Sequence, residues 1–209
     1  TPKPSSAASD VYKRQELTDE LRTLDVTILC NDAGTATFGS VAKLPEEKEH
    51  LQFQLNASTV HELVLAVLPR MIERGEGAIL NVGSAAGNMP IAYNATYAGT
   101  KAFVNIFSES LHDELKGYGI NVTLLAPGPV RPSDKPKSEE TFLDRMIPAF
   151  MWANSDQVAE QSLAALARNK RRIVPGAIGK MLNAVGYLPH MITSPINKLS
   201  YGALAGDNK

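Results

Sequence analysis

The chain has 209 residues, enough for one sizeable core, and its 44% of hydrophobic residues is ordinary for a globular domain. Its 21 basic and 22 acidic side chains nearly cancel, so the net charge of -1 gives no electrostatic case for a nucleic-acid or membrane-surface partner. One cysteine, Cys30, excludes an intramolecular disulfide, and no apolar run approaches the ~18 residues of a membrane span. A cytoplasmic protein is expected.

Residues 1–14 are rich in proline, serine and alanine without apolar periodicity, which predicts a flexible leader foreign to the domain that follows. They hold no continuous apolar core of the kind a secretory signal needs. A single domain is expected over 15–209. It starts with a helix over 15–24 and a strand over 26–30, where Cys30 reads as a small buried hydrophobe. The loop Asn31-Asp32-Ala33-Gly34 follows, then a long helix carrying Asn56.

Residues 77–83 form a short apolar run closed by glycine, the pattern of a buried strand, and Ser84 stands at its end. From Tyr97 apolar residues recur at helical spacing as far as Lys116, before Gly117. A second buried strand is predicted over 120–126, ended by Pro127-Gly128-Pro129-Val130. Strand, helix and parallel strand make a βαβ unit, whose carboxyl strand ends face the ligand crevice of an open sheet. Ser84 and the Pro-Gly turn therefore open onto one cleft, with Tyr97 and Lys101 on the helix between them.

That placement has chemical content. Four residues apart on a helix, Tyr97 and Lys101 share one face. An ammonium beside a phenol favours the phenolate and lowers its pKa from about 10, which makes tyrosine a usable general acid/base. Tyr93 has no lysine four residues on, so Tyr97 is the expected acid.

These residues, from about Asp25 to Val130, resemble the short-chain dehydrogenase/reductase family in its single-domain branch of NAD(P)-dependent carbonyl and ketoacyl reductases. The resemblance rests on Asn31-Asp32-Ala33-Gly34, Asn56, Ser84, Tyr97 with Lys101, and Pro127-Gly128, in the family's order. It implies an α/β fold with a doubly wound, parallel Rossmann-type sheet. The family's first strand and its Thr-Gly-x-x-x-Gly-x-Gly turn have no counterpart here, and the first glycine is Gly34. The expectation is thus an N-terminally truncated domain, lacking the first strands, the pyrophosphate-binding turn and the residue that selects NAD or NADP. Such a chain should bind cofactor weakly.

The resemblance implies Asn56, Ser84, Tyr97 and Lys101 as catalytic residues. Tyr97 would donate a proton to a carbonyl oxygen that Ser84 holds, while Lys101 lowers the phenol pKa and bonds the nicotinamide ribose. Asn56 would hold a water that passes protons outward. Asn31, Ala33, Gly34, Pro127, Gly128 and Val130 would line the cofactor, NADP or NAD, beside Tyr97 and Lys101. Pro132 stands where the family often has a threonine that contacts the carboxamide. The expected substrate is a small, apolar ketone, aldehyde, 3-oxoacyl group or matching alcohol, and a homo-oligomer is expected. The rival readings are a sugar-nucleotide epimerase, which would need a longer substrate domain, a noncatalytic binding module and an inactive fragment.

Residues 131–138 are polar and proline-rich, and 139–151 can form an amphipathic helix interrupted by Pro148. In the family the stretch of about 131–154 is a lid. A helix capped by Ser155 and reaching about residue 168, a strand over 171–175 and apolar helices over 178–188 and 196–204 complete the chain, the last two within about 176–205. Met146, Met151, Trp152 and Met191 are candidates for an apolar substrate pocket. His50, His61, His112 and His190 are scattered, which favours structural or solvated roles over metal binding, and the basic run 168–172 reads as a helix end beside an edge strand.

Overall fold

The computed structural model describes residues 11–131 and 151–189, together with positions 191, 193–195 and 198. Residues 139–150 of the helix expected over 139–151, residues 1–10 of the expected leader, most of the segment 196–204, Met146, Pro132 and His190 lie outside the described residues.

Four parallel strands form the main sheet in the order β1 (Ile28–Asn31), β2 (Gly77–Val82), β3 (Ile120–Leu125) and β6 (Arg172–Ile173). Cys30 pairs with Leu80, and Asn81 with Leu124. The connections run through helices. Between β1 and β2 come α2 (Glu46–Phe53), a π-helical turn (Gln54–Ser58) and α3 (Thr59–Arg74). Between β2 and β3 lies α4 (Ala95–Leu115), and between β3 and β6 lies α5 (Ser155–Ala167). A two-residue pair of β4 (Val130–Arg131) and β5 (Ala153–Asn154) sits apart from the main sheet.

Both faces of the sheet are covered, as a parallel sheet requires. On one face Leu29, Ile79 and Val122 pack against Val64, Val67 and Met71 of α3 and Leu111 and Leu115 of α4. On the other, Leu80 and Leu125 meet Val158 and Leu166 of α5. This is the expected Rossmann-type architecture. β3 is buried along most of its length on both faces, and its two polar residues are satisfied there: Asn121 Nδ2 donates to the Leu166 carbonyl at 3.1 Å and Thr123 Oγ1 to the Lys170 carbonyl at 2.7 Å.

β1 differs. It is the edge of the sheet among the described residues, and α5 packs mainly over β2 and β3. Leu29 is buried, but Ile28 is 54% exposed and Cys30 is exposed. The expectation of a buried cysteine therefore fails for a tertiary reason: its side chain points to the face that no described helix covers at this strand.

Three boundaries also shift. The first helix, α1 (Val11–Thr23), begins four residues before the expected start, and Arg14 pairs with Glu62 of α3 at 2.7 Å. Residues 11–14 thus extend this helix. The cap of α5 is Asn154, whose Oδ1 accepts from the N–H groups of Asp156 and Gln157, while Ser155 is the first helical residue. The α4 helix continues through a 3₁₀ turn (Lys116–Tyr118) to Gly119, whose φ of 73° suits glycine. After β6 comes α6 (Ala177–Val185).

The turns after β2 and β3 are knitted to each other. The Gly83 N–H donates to the Leu125 carbonyl at 2.8 Å, and the Ala85 N–H donates to the Pro127 carbonyl at 3.0 Å. This pairing aligns the Ser84 turn with the Pro127-Gly128 turn at one end of the sheet.

Candidate active site

At those carboxyl strand ends lies a cleft of about 300 Å³, lined by Asp32, Gly34, Thr35, Ala36, Val82, Gly83, Ser84, Tyr97, Lys101, Pro127, Gly128 and Val130. Three of the four residues expected to be catalytic, and four of the cofactor-lining ones besides, meet there. Asn31, Ala33 and Asn56 are not among the lining residues.

Ser84 ends the β2 segment in extended backbone and caps the 3₁₀ turn Ala85–Asn88, its Oγ accepting from the Ala86 N–H at 3.1 Å. Tyr97 sits in the first turn of α4 and lines the same cleft as Ser84. Burial raises the phenol pKa above its usual 10, and the Ser84 hydroxyl acts in the opposite direction.

Lys101 is one turn further along α4 and only 5% exposed. Its Nζ donates to the Val82 carbonyl at 2.7 Å and lies 5.9 Å from the centre of the Tyr97 ring. Burial lowers the amine pKa to about 8, against a smaller opposing pull from the Asp32 carboxylate. The sequence predicts a phenol depressed by its lysine; here burial raises the phenol pKa instead, and the lysine points its amine at the β2 carbonyl.

Asn56 is fully buried within the π turn. The extra residue of such a turn re-aims a side chain that a regular helix would place elsewhere, and π turns concentrate at functional sites. The Asn56 amide grips Thr35 from both sides: Oδ1 accepts from the Thr35 N–H at 2.9 Å, and Nδ2 donates to the Thr35 carbonyl at 2.8 Å and to Thr100 Oγ1 at 3.3 Å. Its side chain therefore holds the wall of the cleft. Asn31 is also inward-facing, donating to Asn81 Oδ1 at 2.8 Å, and Asn81 in turn donates to Ser108. It ties β1 to β2 and α4 rather than reaching the cleft.

A cofactor fits what is present. A Cβ on Gly34 would stand 3.3 Å from Asn56 Oδ1 and 3.6 Å from Lys101 Nζ, so the bare glycine keeps the floor of the cleft open beside a buried amine. The cleft volume is at the low end of the ~300–1,000 Å³ range of small-molecule sites.

The profile of the short chain dehydrogenase family matches residues 6–142. The chain belongs to that family. This short-chain dehydrogenase is 36% identical to the very-long-chain 3-oxoacyl-CoA reductase of Bos taurus over 150 residues, 65% of the chain and 47% of that protein. It is 37% identical to the NADP-dependent 3-hydroxy acid dehydrogenase YdfG of Escherichia coli (strain K12) over 128 residues, 58% of the chain and 52% of that protein. The chain thus spans about half the length of these curated relatives. A short-chain dehydrogenase from Sphingobium yanoikuyae, solved in complex with NADPH, superimposes with a TM-score of 0.72 at 25% identity, over 90% of this chain and 72% of that one.

Sequence reasoning passed over Asp32, Thr35 and Ala36 as lining residues, although Asp32 stands inside the recognised loop. The remaining candidates disperse. Met191 is 89% exposed, whereas Trp152 lies 5.7 Å beneath the Arg131 guanidinium. His112 bonds the Val122 carbonyl at 2.7 Å, His61 packs against Phe103 and Phe107, and His50 meets Glu46 at 3.1 Å. In the basic run, Arg171 pairs with Asp113 and Arg172 with Glu109. No helix among the described residues is long and apolar enough to cross a membrane.

Proposed function

We propose that the chain carries the catalytic half of an NAD(P)-dependent carbonyl reductase, in which Tyr97 is the general acid/base. One observation carries the reading: the Ser84 hydroxyl, Tyr97 phenol and Lys101 amine converge on a single glycine-lined cleft at the carboxyl ends of β2 and β3. A bound nicotinamide cofactor supplies the hydride. The protein does the rest. Ser84 holds the carbonyl oxygen and stabilises its developing charge, and Tyr97 gives that oxygen its proton in reduction or takes one from an alcohol in oxidation.

Lys101, when protonated, bonds the ribose hydroxyls and favours the phenolate. Gly34, Pro127, Gly128 and Val130 face the cofactor, while Asn31 and Ala33 support the loop. Asn56 fixes Thr35 against the cofactor and supports a water that carries protons outward from Lys101. Cofactor identity is NADP or NAD; the relative with NADPH makes NADPH the first to titrate.

The substrate class we propose is an apolar ketone or 3-oxoacyl group, supported by the relatives' names and by the half-buried Met151 and Trp152 in the segment before α5. Steady-state reduction of a panel of 3-oxoacyl thioesters and bulky ketones with NADPH and NADH tests this. Preference for polar sugar substrates would refute the substrate class.

A further inference from the structure

We propose that Asn105 is the positioning residue of the Ser84 hydroxyl, and that it ties Ser84 to the C-terminal helix α6. The inference rests on the proposed role of Ser84 and Tyr97. Asn105 lies on α4, one turn beyond Lys101, and is 1% exposed. Its amide spans the Ser84 backbone: Oδ1 accepts from the Ser84 N–H at 3.3 Å, and Nδ2 donates to the Ser84 carbonyl at 2.9 Å. Nδ2 also donates to Asn88 Oδ1 at 3.0 Å, at the far end of the same 3₁₀ turn. Both ends of the turn that presents the hydroxyl are thus fixed by one side chain from the helix that carries Tyr97 and Lys101.

Space at the site has been made for this amide. A Cβ on Gly83 would stand 2.0 Å from Asn105 Oδ1, so any side chain at position 83 would expel it. The network then runs outward. Asn88 Nδ2 donates to Asn183 Oδ1 on α6 at 2.6 Å, and Arg172 Nη1 donates to the same Asn183 oxygen at 2.8 Å. Arg172 is anchored in turn by Glu109 at 2.9 Å. One strand, the catalytic turn and two helices therefore share one hydrogen-bonded chain that ends on the Ser84 backbone. Because each amide has one donor side and one acceptor side, the chain has a single satisfied orientation.

The test reads Tyr97 rather than turnover. Tyrosine labelled with ¹³C at Cζ reports ionisation by NMR, and the signal lost in Tyr97→Phe identifies Tyr97. Ser84→Ala removes the hydroxyl that lowers the phenol pKa, so the Tyr97 pKa moves up. Asn105→Ala is expected to move it up as well, and to add nothing when Ser84 is already alanine. Asn105→Asp keeps the shape but, ionised at titration pH, faces the Ser84 carbonyl and Asn88 Oδ1 with an acceptor; it too should raise the Tyr97 pKa. If Asn105→Ala does not fold, the aspartate variant decides alone. In a turnover assay the Asn105 variants should lower kcat by no more than Ser84→Ala does, with the cofactor KM unchanged.

An unmoved Tyr97 in Asn105→Asp would mean that the amide only fills space and would overturn the proposal. A shift that persists in the Ser84→Ala background would overturn it too, by placing the effect elsewhere. Should Ser84→Ala itself leave Tyr97 unmoved, the proposed Ser84–Tyr97 pair fails, and this inference with it.

Discussion

Lys101 sets the pH behaviour of the site. An unfolded lysine holds its proton to the ordinary value of 10.5, whereas burial lets the folded chain release it at about 8. Below about pH 8 both states are protonated, and the buried ammonium costs roughly 3 kcal/mol. Above it the folded state sheds the proton first, so the Lys101 contribution to stability improves between about pH 8 and 10.5. Tyr97, raised by burial, acts with the opposite sign above its usual 10, because the folded chain keeps a proton that the unfolded chain loses. Urea unfolding of wild type and Lys101→Met at about pH 8 and about pH 9.5 should show the gap moving in favour of wild type by roughly 2 kcal/mol. A gap independent of pH would mean that the amine is not desolvated. The ammonium is also the proposed ribose ligand, so NAD(P)H affinity should fall as pH rises through about 8. At the hydroxyl, Ser84→Ala should lower kcat by roughly 10²–10³-fold, the scale for one lost oxyanion donor; an unchanged kcat would remove Ser84 from the reaction.

At the scale of elements, the turn after β2 is the most constrained part of the site. A Cβ on Gly87 would come within 2.5–2.7 Å of the α4 backbone at Lys101 and Ala102, so the turn lies directly on the helix carrying the amine. Gly87→Ala must push turn and helix apart, and overpacking of this kind costs about 1–3 kcal/mol. Thermal unfolding should show a lowered midpoint and the same variant should lose turnover; a wild-type midpoint would show that the turn can move freely.

The βαβ core was legible because its cues are local: apolar runs closed by glycine, helical periodicity from Tyr97, and a Pro-Gly stop. The directions of Asn31 and Asn56 were not, since each is decided by partners 50 and 21 residues away. Asn105 gave no signal either, because nothing local distinguishes a helical asparagine that grips a distant turn from one that faces solvent. The α5 cap was misplaced by one residue because Asn154 and Ser155 are both good caps and only geometry chooses between them.

For the whole molecule, the exposed side of β1 is the feature to explain. An edge strand offers unpaired backbone groups, and here Ile28 and Cys30 add apolar surface beside them. The expected homo-oligomer is therefore proposed to form by two copies pairing through β1. A second exposed apolar face lies on α4, where Ile106 is 65% exposed beside the stacked Phe103 and Phe107. Sedimentation velocity separates them: Ile28→Lys should yield monomer and Ile106→Glu should not. The reverse result would move the interface to α4. Cys30 burial was mispredicted at this same scale, because an apolar strand reads alike whether one face or two are covered.

In the proposed reaction Tyr97 supplies the proton. Tyr97→Phe keeps the ring and removes only the hydroxyl, so the decisive measurement is its kcat for carbonyl reduction beside that of wild type under saturating NADPH. A loss of roughly 10²–10⁴-fold is expected, the range for a positioned acid, with NADPH affinity retained. A wild type that reduces no carbonyl, or a Tyr97→Phe variant that turns over at the wild-type rate, would contradict it.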